Sequence, residues 1–395
     1  MQRVFITGIG VISAIGRTVA ASHLALKKGL GGISRKIPFD SLYSTFPAGI
    51  APMSDAGLKE ALGVTSTATT RTGLLGLHAL SEAVKDAGLR EEDLSSAATA
   101  LIAGTTVGGM TGADDLYRDV TEHRAASPFL SSYDCASVTL FLREYYGMQG
   151  IVDTINTACS SSANALIYGA RLIRNGFAQT VIAGGMDGLS RFTLNGFGAL
   201  HILSPEICAP FDAHRQGLNL GEGAAFLVLE GEDSLPRGKK VYAELTGFHN
   251  SSDAYHPTSL SPQGEGPFLA MQGALSSAGL HPAEIDLINA HGTGTENNDE
   301  VESRAMLRVF ERVPPFVSTK SYTGHTLGAA AAVEAVFSLL SLEHQELYPG
   351  LQFAEPIPES GLRPVTVYQR AEIRHVMSNS FGFGGSCASL ILSQS

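Results

Sequence analysis

The chain has 395 residues, long enough for two or three domains or for one large, internally duplicated unit. Lysine and arginine number 27 against 38 aspartates and glutamates, and the resulting net charge of −11 excludes a generic binder of nucleic acid or anionic membrane. With 44% apolar and only 16% charged residues, the chain buries most of its elements, so disorder, collagen and coiled coil are excluded too.

The first element in chain order is the apolar run VFITGIG behind Arg3. Gly8, Gly10 and Gly16 break it, so it reads as a buried strand entering a glycine turn and not as a secretion signal. A helical stretch follows over 19–28. A helix pattern over 72–87 stops at Gly88, and 99–104 reads as a strand. Between 109 and 145 the pattern is irregular and polar, which suggests a surface or subunit-contact excursion. IVDTINTAC then leads into a helix over 161–174, and TVIAGGMDG and AAFLVLEG are further buried strands. Such alternation predicts an α/β protein with a mainly parallel sheet covered on both faces. No stretch of 18 apolar residues lacks a charge or a break. The nearest, 326–342, contains Glu334, so no membrane span is expected.

The second half repeats the first. ALIAGTT (100–106) compares with IDLINAHGT (285–293), 151–166 with 316–336, and 181–185 with 376–385. This predicts a duplicated α/β unit, with a seam near 245 and functional residues at equivalent strand-to-helix turns. The N-terminal half is then 1–245 and the C-terminal half 246–395.

Cys135, Cys159, Cys208 and Cys387 lie far apart along the chain. Their spacing fits neither a disulfide framework nor a zinc site and favours a reducing cytoplasm. Cys159, in NTACSSSANAL, is the sharpest candidate because it stands at a helix start. There the dipole and free N–H groups are expected to lower its pKa and make it a nucleophile. A buried cysteine acting as a small hydrophobe is the plainer alternative. His291 in INAHGTGT and His325 in KSYTGHTLGAA occupy equivalent turns, although a lone histidine is more often structural. Lys320 precedes His325 by five residues, and Glu334 follows it by nine in an Ala/Val-rich helix. Either the two pair in the interior or Glu334 faces solvent. The glycine turn FGFGG (381–385) carries no Walker lysine, which argues against nucleotide binding, but its N–H groups suit an oxyanion. No GxSxG elbow is present, which argues against a serine hydrolase.

Cys159 in TACSSS, His291 in HGTGT, Lys320 and His325 in KSYTGHTLGAA, and the terminal NSFGFGG together resemble the β-ketoacyl-acyl-carrier-protein synthases of types I and II. The resemblance covers nearly the whole chain and implies a thiolase fold, a duplicated five-layered αβαβα arrangement. It also implies a 3-oxoacyl-acyl-carrier-protein synthase, an acyltransferase of fatty acid, polyene or polyketide biosynthesis. Its partners are acyl- and malonyl-loaded carrier proteins and a second subunit, identical or related. No metal or redox cofactor is implied. Carried onto this sequence, Cys159 takes the acyl group and the N–H groups of Cys159 and Phe383 form the oxyanion hole. His291 and His325 stabilise the enolate, and Lys320 and Glu334 order the site. Thr293 and Thr295 hold the pantetheine arm, while Val107, Phe197 and Phe383 line or gate the acyl pocket.

Four positions depart from the family pattern. Ser386-Cys387 replace the usual Thr-Asn, Glu296 replaces a proline, and His201 stands where many members carry an arginine that docks the carrier. Arg71 is the remaining candidate for a docking charge. These departures point to a specialised synthase, polyene or polyketide in type, working beside a non-identical subunit. A silent chain-length-factor-like partner and a thiolase or type III synthase are the alternatives.

Overall fold

The computed structural model describes residues 2–123, 127 and 129–395. The apolar run behind Arg3 forms β1 (Val4–Ser13), buried along its whole length. After α1 (Val19–Lys28), α2 (Arg71–Ala87) starts where the Thr70 hydroxyl accepts the Gly73 N–H and stops at Gly88, whose φ of +66° suits glycine. Then come β2 (Thr99–Gly104), α3 (Ala113–His123), α4 (Ser137–Tyr146), β3 (Val152–Ile155), α5 (Ser161–Arg174), β4 (Thr180–Asp187), α6 (Arg191–Ala199) and β5 (Gly223–Gly231). The second half carries β6 (Ala243–Ser252), α7 (Glu265–Ala278), β7 (Leu287–Asn289), α8 (Glu296–Val309), β8 (Phe316–Val317), α9 (Ala330–His344), β9 (His375–Phe381) and β10 (Ser386–Ser393).

The strands form one sheet in the order β8-β7-β9-β10-β6-β1-β5-β4-β2-β3. Its two halves are built alike. In the first, β3, β2 and β4 run parallel, and β5 and β1 follow antiparallel. In the second, β8, β7 and β9 run parallel, and β10 and β6 follow antiparallel. A short antiparallel pairing of Phe5 and Ile6 with Glu244 and Ala243 joins them. The duplication read from the sequence is therefore present, strand for strand. The expectation of a mainly parallel sheet is corrected, because half of the pairings within each half are antiparallel. Strands covered on both faces read as continuous apolar runs whichever way they point, so periodicity cannot report direction.

Helices complete five layers. α2 covers β1, β5 and β4 on one outer face, and α7, with α8 against it, covers β6 and β10 on the other. Between the two half-sheets lie α5 and α9, packed on each other. Every residue of α9 from Ala330 to Leu342 is buried, as a helix that is apolar all round must be. The span Leu327–His344 is long and apolar enough to cross a membrane, but 89% of it is buried inside the protein.

The segment 109–145, expected to be irregular, holds α3 and α4. Residues 124–126 and 128 of it lie outside the described part. On α3 the apolar Tyr117 and Val120 recur at helical spacing, yet they are 75% and 53% exposed, as befits an outer excursion.

Gly10 sets how closely β1 approaches α2, since a Cβ there would stand 2.0 Å from the Ala79 carbonyl oxygen. Gly10→Ala is expected to cost about 1–3 kcal/mol of stability, read as a lowered urea midpoint. An unchanged midpoint would mean that strand and helix separate freely.

Candidate active site

Three strand ends deliver the chemistry to one place. β3 runs into the turn Asn156–Ser160, where Ala158 takes a φ of +52° and the Ser161 hydroxyl accepts the Thr157 N–H at 3.0 Å. This turn places Cys159 directly before α5. β7 ends in the turn that carries His291. β8 ends at Val317, Lys320 opens the short helical turn Lys320–Thr323 behind it, and His325 follows.

Cys159, His291, Lys320, His325 and Glu334 are each 5% exposed or less. His325 Nε2 lies 3.0 Å from Cys159 Sγ. The two imidazole rings stand nearly perpendicular, with centroids 5.5 Å apart. Lys320 Nζ donates to the His291 carbonyl oxygen at 2.6 Å, lies 3.3 Å from His291 Nδ1 and is ion-paired with Glu334. Of the two readings open for Glu334, the interior pair is the one observed.

Thr293 and Thr295, their hydroxyls 2.9 Å apart, line a cavity of about 500 Å³ together with Cys159, both histidines, Phe197 and Phe383. Phe197 and Phe383 stack at 5.8 Å across it. Val107 lies outside this lining, buried, with its N–H bonded to Asp187 at 3.2 Å. His201 lines the cavity and is exposed.

Two expectations need correction. The Cys159 thiol is pushed up to about 11, not lowered. Burial is the main cause, because a thiolate here leaves water. The N–H groups of Phe383 and of Cys159 itself, with the Lys320 charge, pull the other way. Arg71 is no docking charge either. It is ion-paired with both Glu222 and Asp55, and its side chain is only 15% exposed.

Burial holds both histidines well below their ordinary value, and the Lys320 charge adds to it. Both imidazoles are therefore neutral at pH 7. Burial also pushes Glu334 up to about 7 against the pull of Lys320. The histidines carry a sign that can be checked. Below the unfolded value of about 6.5 the unfolded chain binds protons that the fold refuses, so stability falls as pH falls. Each imidazole adds a slope of up to about 1.4 kcal/mol per pH unit. Urea midpoints measured between pH 7.5 and 5.5 are expected to drop, and to drop less steeply in His291→Gln. A slope that this substitution leaves unaltered would contradict the assignment.

Sequence reading missed the carboxylates that hold the turns. On α8, Glu302 accepts the N–H groups of His291 and Gly292 at 2.9 and 2.8 Å, and Asn379 on β9 donates to it. One turn earlier on the same helix, Asp299 accepts the N–H groups of Phe211 and Gly294. Their signal was two acids three residues apart just behind the glycine turn, which places them on one helix face.

The four cysteines are free thiols. Cys159, His291 and His325, read from the sequence at separate strand-to-helix turns, come together in space, their ligating atoms all within 4.8 Å of one another. These are atoms that bind zinc-like ions, but the Lys320 ammonium beside His291 sets a positive charge against any cation there.

Comparison with known proteins agrees with this geometry. Residues 1–234 match the N-terminal domain of the β-ketoacyl synthases and residues 242–354 their C-terminal domain. The mitochondrial 3-oxoacyl-acyl-carrier-protein synthase of Arabidopsis thaliana is 34% identical, over 99% of this chain and 93% of its own. The 3-oxoacyl-acyl-carrier-protein synthase 2 of Staphylococcus aureus is 33% identical, over 99% and 98%. Among solved structures, the ishigamide ketosynthase/chain length factor superposes with a TM-score of 0.93 at 33% identity, covering 100% of this chain and 99% of that one. A ketosynthase in complex with its chain length factor from Xenorhabdus doucetiae gives 0.87 at 33%, covering 100% and 98%.

Proposed function

Because the chain belongs to the β-ketoacyl synthase family, we propose that it is an acyltransferase that condenses an acyl group on Cys159 with a malonyl unit, both delivered as carrier-protein thioesters. The observation that carries this reading is the meeting of Cys159, His291 and His325 in one cavity, with His325 Nε2 3.0 Å from the Cys159 sulfur.

In the first half-reaction the Cys159 thiol attacks the acyl thioester, and its proton passes through His325 to the carrier's departing sulfur, which leaves the imidazole neutral. The carrier's thiol is released, and the negative charge on the tetrahedral oxygen rests on the two N–H groups. Malonyl thioester then enters past Thr293 and Thr295, which would hold its pantetheine arm. The bond to the carboxylate breaks, CO₂ departs, and the electron pair moves onto the thioester as an enolate. Neutral His291 and His325 donate to that oxygen. The enolate carbon attacks the acyl-Cys159 carbonyl, the sulfur leaves, and a 3-oxoacyl thioester results. Phe383 stacked on Phe197 would gate the passage. Val107 would meet only the part of an acyl chain that extends beyond this cavity. No metal or redox group has a part in these steps.

In this reading the nucleophile belongs to the N-terminal half, 1–245, and both histidines to the C-terminal half, 246–395. The enzyme would work in the cytoplasm. Resemblance to ketosynthases solved with a chain length factor, and His201 and Ser386-Cys387 at their unusual places, favour a polyene or polyketide synthase paired with a related subunit.

The test is to supply malonyl-carrier protein with a panel of acyl-carrier proteins and follow CO₂ and 3-oxoacyl product. Condensation restricted to unsaturated or already extended acyl groups is expected. Efficient extension of saturated primers on a housekeeping carrier would remove the specialised reading.

A further inference from the structure

The two N–H groups proposed as the oxyanion hole come from different halves of the chain, one from the turn before α5 and one from the glycine turn between β9 and β10. Their spacing therefore depends on how the two turns are held together. Contact is close. A Cβ on Gly382 would stand 2.8 Å from the Thr157 carbonyl oxygen and 3.2 Å from the Cys159 nitrogen, so the glycine turn lies flush on the nucleophile turn. Beside this contact the hydroxyls of Ser160 and Ser386 meet at 2.9 Å.

Both ends of that pair are anchored. The Ser160 hydroxyl also donates to the Thr157 carbonyl at 2.8 Å, and Ser160 is fully buried. Asn164, one turn into α5, reaches Thr157 Oγ1 at 2.9 Å and Ser160 Oγ at 3.4 Å, and Asn250 on β6 donates to Asn164 Oδ1 at 3.0 Å. On the other side, the Ser386 carbonyl accepts the Gly382 N–H at 2.7 Å and closes the glycine turn on itself. A chain of polar groups thus runs from β6 through α5 to the turn that presents the Phe383 N–H. Ser160 Oγ is the donor in this pair, so its one proton is shared between the Thr157 carbonyl and the Ser386 hydroxyl, which accepts it.

We propose that Ser160 and Ser386 are positioning residues that set the distance between the Cys159 and Phe383 N–H groups, and so tune the oxyanion hole. The proposal rests on the synthase reading above. It concerns chiefly the tetrahedral oxygen; the resting thiol, whose state burial dominates and the two N–H groups only partly offset, is affected less. That separates it from a general structural role. Attack of Cys159 on a thioester passes through an oxyanion, whereas its alkylation by iodoacetamide does not.

The experiment measures both rates on the purified full chain, wild type and variants, by intact mass. In Ser386→Ala, acylation of Cys159 by acyl-carrier protein is expected to fall about tenfold, as for partial loss of one oxyanion donor. Alkylation should fall by no more than about twofold, since burial and not the N–H groups chiefly sets the state of the thiol. Ser386→Thr, which restores the hydroxyl, should restore acylation. Wild-type acylation rates in Ser386→Ala overturn the proposal, and so does a parallel fall in both reactions. If the wild type alkylates but takes no acyl group from any carrier, the synthase reading itself fails and this inference with it.

Discussion

In His291→Ala, acyl transfer to Cys159 is expected to continue near the wild-type rate while release of CO₂ from malonyl-carrier protein falls by about 10²–10³-fold. The asymmetry follows from what each face of the ring touches. Lys320 Nζ stands 3.3 Å from His291 Nδ1, so an ammonium N–H occupies that lone pair and the ring proton is assigned to Nε2. The Nε2–H is then a donor to the enolate oxygen, and its charge is not diluted by titration because the ring is neutral at pH 7. His291 makes no bond to the Cys159 sulfur, whereas His325 lies 3.0 Å from it. His325→Ala is therefore expected to slow both half-reactions. Stopped-flow acylation and CO₂ release, measured side by side, check the contrast. Equal losses of both rates in His291→Ala would contradict it.

Lys320→Met is expected to destabilise the fold by about 3–5 kcal/mol, because it leaves the Glu334 carboxylate buried without its cation. Both side chains are 3% exposed or less, so water cannot replace the partner. Lys320 also loses its bond to the His291 carbonyl oxygen, which is left unsatisfied. The loss has a pH signature. Burial already raises Glu334 to about 7 with Lys320 present, and removing the ammonium raises it further. A group whose folded value is raised stabilises the fold while protonated, and that contribution is lost as pH rises through the folded value. The destabilisation should therefore be largest above pH 7 and shrink toward pH 5. Replacing both partners with apolar residues of similar size should recover much of it. Urea midpoints at pH 5, 7 and 8.5 test this. A small, pH-independent cost would mean that the pair is replaceable by solvent.

Much of this architecture was legible because the chain writes it twice. The strand-turn-helix pattern at 151–166 and 316–336 put Cys159 and His325 at equivalent turns, and that equivalence holds in β3-α5 and β8-α9. Features that depend on contacts across the duplication were not legible. Nothing in the apolar runs of β5 or β10 reports that they run antiparallel. Glu302 and Asp299 look like the acids of an ordinary polar helix until their turn N–H partners are seen. Cys159 was rightly placed at a helix start, but its pKa was misjudged, since a local pattern says nothing about how deeply the second half covers that turn. Arg71 failed for a related reason. Its partner Glu222 lies 151 residues away, out of reach of any spacing argument.

Whether Cys159 is the acyl acceptor is tested by intact-protein mass after incubation with acyl-carrier protein. A gain of one acyl group is expected, localised by peptide mapping to Cys159, absent in Cys159→Ala and discharged on adding malonyl-carrier protein. An acyl group found on another residue, or retained in Cys159→Ala, would contradict it.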